Sequence, residues 1–216
     1  MAVVTFTELK TNVRSLLGEA TASFWTEDDI TAALVTAIQN VQYDVLSAFD
    51  TNLKALEKIF NSQLRFDTYV GAGHIYHEFA GYQVLKILSM ESDDVPWEEV
   101  DGDYLVSVRG YEGDLALSAS QARLYSFSQG IVESSIIDLY PAITIGQEYT
   151  IKHIKRAEES GNMNLPLVPN LQEIAVLDAV AHVAKNKTMD LKLANSCLEQ
   201  RELKLKHIRE SYGNAR

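Results

Sequence analysis

Apolar positions recur at three- and four-residue spacing at both ends of the chain and alternate with polar ones in its middle. Thr5 and Glu8 form a capping-box pair, and Leu9, Val13, Leu16 and Leu17 follow at helical spacing up to Gly18. Phe24 and Trp25 lead to a second helix start at Thr26, with Asp29 three residues on. Ile30, Leu34, Ala37, Ile38, Val41 and Val45 then predict a long amphipathic helix, and Glu27, Asp28 and Asp29 complement its dipole. A shorter helix from Asp50 carries Leu53, Leu56 and Phe60 on one face.

The period changes near residue 63. Leu64, Phe66, Thr68 and Val70 alternate with Arg65, Asp67 and Tyr69, which predicts a strand. Gly71-Ala72-Gly73 reads as a hairpin turn, with His74 to Phe79 returning as its partner strand. Further strand-like runs are Val84–Ser89, Tyr104–Val108, Leu124–Gln129, Ile136–Tyr140 and Tyr149–Ile154. Helical spacing returns with a cap at Asn170 and Glu173, then Ile174, Leu177, Ala181 and Ala184. Asn186–Thr188 punctuates, and a last helix carries Leu191, Ala194, Leu198, Leu205 and Ile208.

The expected fold class is therefore α+β. N- and C-terminal helices pack as a bundle with an inserted small antiparallel β domain, in the order 1–62, 63–158 and 159–216.

Charge sharpens this picture. The 216 residues hold 19 Lys and Arg against 30 Asp and Glu, a formal charge of −11. The whole excess lies in residues 1–108, with 6 basic and 17 acidic side chains; residues 109–216 carry 13 of each. Residues 185–216 are locally basic, with 8 against 4. An acidic chain of this kind is a poor wrapper of nucleic acid, which needs clustered Lys and Arg. The single cysteine, Cys197, excludes an intrachain disulfide and Cys-rich metal sites, and is expected to be a packed thiol. No run approaches the roughly 20 apolar residues of a membrane span. The opening MAVVTF lacks a signal-peptide pattern, so a soluble protein of a reducing compartment is expected.

Candidate chemistry is sparse. His74, His77 and Glu78 suggest a metal site, but strand residues three apart face opposite sides. Glu91, Asp93, Asp94, Glu98, Glu99, Asp101 and Asp103 lack the register of a calcium loop. There is no phosphate-binding glycine loop and no nucleophile elbow. The tyrosines and phenylalanines of the middle segment read as cross-strand packing, because a stacking platform for single strands needs a basic groove. No catalytic residues, cofactor or metal are assigned. Two charged surfaces remain: an acidic loop (Asp93, Asp94, Glu98, Glu99, Asp101, Asp103) and a basic C-terminal arm (Arg201, Lys204, Lys206, Arg209, Arg216).

One resemblance follows from these residues. The helix start Phe24-Trp25-Thr26-Glu27-Asp28-Asp29-Ile30, running on to Ala37, resembles the opening helices of the head–tail connector, or adaptor, proteins of tailed bacteriophages. Leu165-Pro166-Leu167-Val168-Pro169 before an Ala/Leu-rich helix is similar to the family's C-terminal part, as is an A-x-x-x-L-E pattern at Ala194, Leu198 and Glu199. Tyr125-Ser126-Phe127 and Leu139-Tyr140-Pro141-Ala142 resemble strands inserted in larger members. The family's Leu-Asn-x-Ala run departs here to Leu34-Val35-Thr36-Ala37.

The resemblance implies a non-enzymatic structural protein of the virion neck, made in the host cytoplasm. Its partners would be the portal protein ring, tail or neck proteins, and further copies of itself in a ring, usually of twelve. Packaged DNA would pass through without specific binding, and no membrane is involved. On this reading the acidic loop lines the lumen or faces the tail, and the basic arm docks on the portal. The alternative is a protein-binding module outside the neck, with the β insertion as recognition surface. A small-molecule enzyme ranks third, because no motif announces its pocket.

Overall fold

The computed structural model describes residues 5–19, 24–60, 64–79, 82–110, 123–129, 135–156 and 169–213. In chain order the elements are helices α1 (Phe6–Leu16), α2 (Glu27–Phe49) and α3 (Leu53–Ile59), then strands β1 (Leu64–Val70), β2 (Tyr76–Phe79), β3 (Val84–Ser92), β4 (Val95–Pro96) and β5 (Glu98–Glu99). Helix α4 (Gly102–Gly110), strands β6 (Leu124–Gln129), β7 (Ser135–Tyr140) and β8 (Glu148–Lys155), and helices α5 (Pro169–Val183) and α6 (Leu191–Gly213) complete the chain. The fold is α+β and divides into two compact units. One joins Met1–Gln63 with Ala157–Arg216; the other is Leu64–Arg156.

In the helical unit, both expected capping boxes form. Thr5 accepts from the Glu8 amide and Thr26 from the Asp29 amide, each at 3.2 Å, and each carboxylate accepts in return from its cap backbone. Ile30, Leu34, Ile38, Val41 and Val45 of α2 are buried along one stripe. Helix α5 is buried nearly all round, from Leu171 and Ile174 to Val180 and Val183, and it packs against α1, α2 and α6. A helix apolar on every side needs neighbours on every side, which makes α5 the axis of this unit.

Two expectations about α5 change. It begins at Pro169, so Asn170 lies inside the helix rather than capping it. Proline suits that first position, where no backbone donor is needed. The expected break at Asn186–Thr188 is a π-helical turn, Ala184–Thr188, that continues the helix. The chain turns at Met189, whose φ of 54° is left-handed, and Asp190 then caps α6 by accepting from the Leu193 amide at 3.0 Å.

The β unit departs more from the sequence pattern. Strands β1 and β2 are not a hairpin. They belong to two four-stranded sheets, ordered β1-β8-β3-β4 and β2-β7-β6-β5. Strand β1 pairs with β8 without a register break, from Leu64 opposite Ile154 to Val70 opposite Glu148. Gly71 serves close approach rather than a hairpin turn. A Cβ there would lie 2.5 Å from both Ile143 Cγ2 and the Thr144 carbonyl oxygen. Only Gly73 of the pair has a positive φ, 76°.

The middle segment also contains a helix where a strand was expected, at Tyr104–Val108. Asp101 nucleates α4: its carboxylate accepts from the Asp103 amide at 2.8 Å and its carbonyl from the Leu105 amide at 3.0 Å. Only Leu105 is buried, while Tyr104 and Val106 face solvent. The pairing is not wholly antiparallel either, because β5 runs parallel to β6. Residues of both sheets share one core: Phe79, Tyr125, Ile137 and Leu139 meet Val84, Ile87, Met90, Tyr149 and Ile151.

Candidate interaction surfaces

The acidic loop is three local devices rather than one loop. Asp93 and Asp94 are the central residues of the two-residue β3–β4 turn, with φ of 51° and 59°. Both being positive is the type I′ geometry that suits a tight hairpin, and Asp is among the few residues that tolerate it. The turn is pinned from below. Arg123 donates to Ser92 Oγ at 2.6 Å and to the Ser92 carbonyl, and lies 3.7 Å from Asp93. Trp97, buried, donates its indole N–H to the same Ser92 Oγ at 2.9 Å.

Glu98 and Glu99 lie in β5, with both side chains exposed. Asp101 caps α4 and Asp103 sits in its first turn. All six carboxylates of the loop are therefore held on one unit and exposed, and Arg123 lies beside Asp93. Among the described residues, no group of three or more His, Cys, Asp or Glu side chains is arranged to hold a metal ion.

The basic arm is different from its sequence reading. Helix α6 is not a detached arm: Ala194, Cys197, Arg201, Leu205 and Ile208 are buried at three- and four-residue spacing, and the helix packs on α5. Arg201 belongs to that buried stripe and is 9% exposed. Its Nε lies 3.1 Å from Asp178 of α5, and its terminal nitrogens pair with Asp44 of α2 and with Glu202. Burial opposes its charge, but Asp178 and Asp44 outweigh that and raise its pKa. Arg201 is thus a clamp between three helices, and it leaves the docking set.

Lys204 pairs with Glu173 of α5. Lys206 and Arg209 remain outward, Lys206 with Glu210 at 4.0 Å. They line a shallow groove with Leu198, Glu199, Glu202 and Leu203, and Leu203 is 67% exposed. Arg216 lies outside the described residues. Cys197 is buried among these packing residues, and burial raises its thiol pKa, which suits the inert reading.

No family model matches the chain, and no curated protein matches it.

The Phe24–Asp29 segment has a structural basis. Trp25 is buried, and its carbonyl accepts from Arg14 at 3.1 Å. Glu27 accepts from Lys10 and, at 2.8 Å, from Arg14; these two cations hold its carboxyl below the usual range. The segment that carries the resemblance thus ties α1 to α2.

The pattern along the chain did not reveal one further cluster, inside the β unit. His153, wholly buried on β8, lies 3.3 Å from the Tyr82 hydroxyl and 3.6 Å from Asp67. Tyr82 Oη also lies 3.2 Å from Asp67, to which it donates, and 3.3 Å from Tyr69 Oη. His77 Nδ1 lies 2.8 Å from the Tyr149 hydroxyl. The two imidazoles flank Phe79, with ring centres 4.6 and 5.0 Å away. Alternation does place Asp67 with Tyr69, and Tyr149 with Ile151 and His153, on common faces. What it cannot supply is the pairing of two strands about 80 residues apart.

Proposed function

We propose that the chain is a ring-forming structural adaptor of a tailed-bacteriophage neck, seated between the portal ring and the tail and acting without catalysis. The observation that carries this reading is the interrupted helical unit. Its first helices start with Trp25-Thr26-Glu27, its last are α5 and α6, and the β unit lies between them in the chain. That order is what the resemblance at Trp25–Ala37 and at Ala194–Glu199 implies.

The surfaces support the same reading. On α6, Lys206 and Arg209 beside Leu198 and Leu203 offer a portal an apolar strip with a basic end. On the β unit, Asp93, Asp94, Glu98, Glu99, Asp101 and Asp103 suit a lumen or a tail-facing rim. Exposed carboxylates repel phosphates over roughly the 8 Å Debye length of physiological salt, so DNA passes without adhering. Twelve copies, one for each portal subunit, would form the ring.

A second reading, a protein-binding module acting through its β unit, is favoured by exposed Val70, Ile75, Tyr76 and Ile145 near one end of that unit. Mixing the purified chain with the cognate portal ring separates the two. Mass photometry should show saturable loading of about one chain per portal subunit, and Lys206→Glu with Arg209→Glu should abolish loading while circular dichroism is unchanged. Portal rings that stay bare would remove the adaptor reading.

A further inference from the structure

Strand β2 is the weak point of the β unit. It has four residues, stands at the edge of its sheet, and among the described residues pairs only with β7, from Tyr76 opposite Asp138 to Phe79 opposite Ser135. Tyr76 and Glu78 are exposed, so Phe79 and His77 are its two inward anchors. Phe79 is 1% exposed. His77 packs against Tyr69, with ring centres 4.2 Å apart, and reaches Tyr149 on β8. β2 therefore meets the other sheet at two points, the Phe79 ring, which packs against His153, and the His77 imidazole.

We propose that His77 is a proton-operated latch: a proton on its ring releases β2 from the sheet that holds Tyr69 and Tyr149. Neutral, the ring has one nitrogen against the Tyr149 hydroxyl, while Nε2 is buried with no partner among the described residues. Protonated, both nitrogens are donors, and Nε2–H has no acceptor. A buried charge with an unmet donor is costly, and the faces of Tyr69 and Phe79 recover only part of that cost.

The facing groups point the same way. Tyr69 on β1 and Tyr149 on β8 are neutral near pH 7, and burial pushes the Tyr149 phenol up to about 12. His153 on β8 lies beyond Phe79 and disfavours a second positive charge. Asp67 on β1 favours one, but its ion-pair contact is with His153, at 3.6 Å. Around His153 stand Arg65 on β1 and Lys155 on β8, both disfavouring its proton. His74 and Glu78 line the small pocket that also borders His77, and Asp138 stands opposite Tyr76. Burial first, then His153, bring the His77 pKa down to about 4 from the usual 6.5.

The sign follows directly. A released β2 returns His77 to water and to a pKa near 6.5, so the released form binds the proton more tightly. Each pH unit below about 6.5 then favours release about tenfold, until the latched form itself protonates near pH 4. The effect saturates at a few hundredfold. Release would bare the edge of β7 over Ser135–Asp138, while the helical unit keeps its fold. This inference does not depend on the adaptor reading.

The chain has one tryptophan in each unit, Trp25 in the helical and Trp97 in the β unit. Side-chain and amide NMR on the whole chain, titrated from pH 8 to pH 4.5, tests the latch directly. The expected result is an exchange process at the amides of Tyr76–Phe79 that grows about tenfold per pH unit, with α2 and α5 amides unchanged. In the Trp25→Phe chain, Trp97 emission should shift over the same range, and His77→Gln should remove the pH-dependent exchange at the β2 amides. A His77 ring titrating near 6.5 with still β2 amides would overturn the proposal. So would an unchanged acid response in His77→Gln; if that variant does not fold, the wild-type NMR titration decides alone.

Discussion

The two units solve the same problem with opposite chemistry. Each must bury polar side chains where its elements meet. The helical unit uses full charges: Arg201 between Asp44, Asp178 and Glu202, and Arg14 between Glu19 and Glu27. The β unit uses neutral groups that could become charged: Tyr69, Tyr82, Tyr149, His77 and His153, with Asp67 at the margin. A charged clamp is indifferent to pH until its carboxylates protonate, and it fails badly if one partner is removed. A neutral network tolerates the loss of a single hydroxyl better, but acid reaches it sooner. Each unit has its own tryptophan, so the contrast can be measured within one molecule.

The largest effect should come from removing the clamp. Arg201→Ala leaves Asp44 and Asp178 without their shared cation, at a site where Asp178 is only 14% exposed. Breaking a buried pair from one side costs about 3–5 kcal/mol. With Asp44 36% exposed, the lower end of that range is expected, about 3 kcal/mol. Thermal unfolding followed by Trp25 in the Trp97→Phe chain should move down strongly, while Trp97 in the Trp25→Phe chain reports the same β-unit transition as before. Equal losses in both reporters would show that the units unfold as one.

The next test strikes the β unit by shape alone. In Gly71→Ala the new methyl meets Ile143 Cγ2 and the Thr144 carbonyl at 2.5 Å, and the carbonyl is backbone that cannot swing aside. Overpacking of this kind costs about 1–3 kcal/mol. The loss should appear in Trp97 emission only. An unchanged midpoint would mean that the 71–75 connection shifts freely.

How far the sequence foretold this contrast depends on the range of the interactions. Capping boxes are contacts within four residues, so Thr5, Glu8, Thr26 and Asp29 declared themselves. The α2 stripe did so too, because a 3.6-residue period needs no partner to be seen. Sheet partners were hidden. Leu64–Val70 reads as a strand from alternation, but nothing in it says that β8 lies beside it, and the nearby His74–Phe79 segment looked like the natural partner. Arg201 reads as a solvated cation for a related reason. A basic residue in a basic segment looks solvated until Asp44 and Asp178, over 20 residues away in sequence, are brought to it. The helix over Tyr104–Val108 escaped because Leu105 is buried while Tyr104 and Val106 face solvent, so no apolar stripe marks it and the Asp101 cap is the main local signal.

A smaller effect separates the helix start from the packing behind it. Thr26→Ala removes the hydroxyl that accepts from the Asp29 amide, and the reciprocal Asp29 bond loses its geometry. Caps of this kind contribute about 1 kcal/mol. Trp25 sits one residue before the cap and should register the loss, whereas Thr26→Ser should restore it. A Thr26→Ala chain as stable as the parent would assign the helix start to the burial of Trp25 rather than to the cap.

The smallest expected change tests the comparison itself, through acid. Glu27 is held below its usual range by Lys10 and Arg14, so its folded form releases the proton more readily than its unfolded form. The resulting stability is complete above about pH 4.5 and disappears as pH falls through the lower folded value. Its carboxylate is 55% exposed, so solvent screening limits the contribution to under about 1 kcal/mol. For His77 the folded pKa is lowered from 6.5 to about 4, and burial lowers that of His153 too, so the proton favours the unfolded form; stability is complete above about 6.5 and falls as the pH drops below it. Trp97 should therefore report a falling unfolding midpoint from pH 6.5 downwards, while Trp25 holds level until about pH 4.5. Adding salt should weaken only the Trp25 response, because screening acts on exposed ion pairs and hardly on a buried imidazole. If Trp25 responded first on acidification, the helical unit would be the acid-sensitive one, and the assignment of charged and neutral networks to the two pH ranges would be reversed.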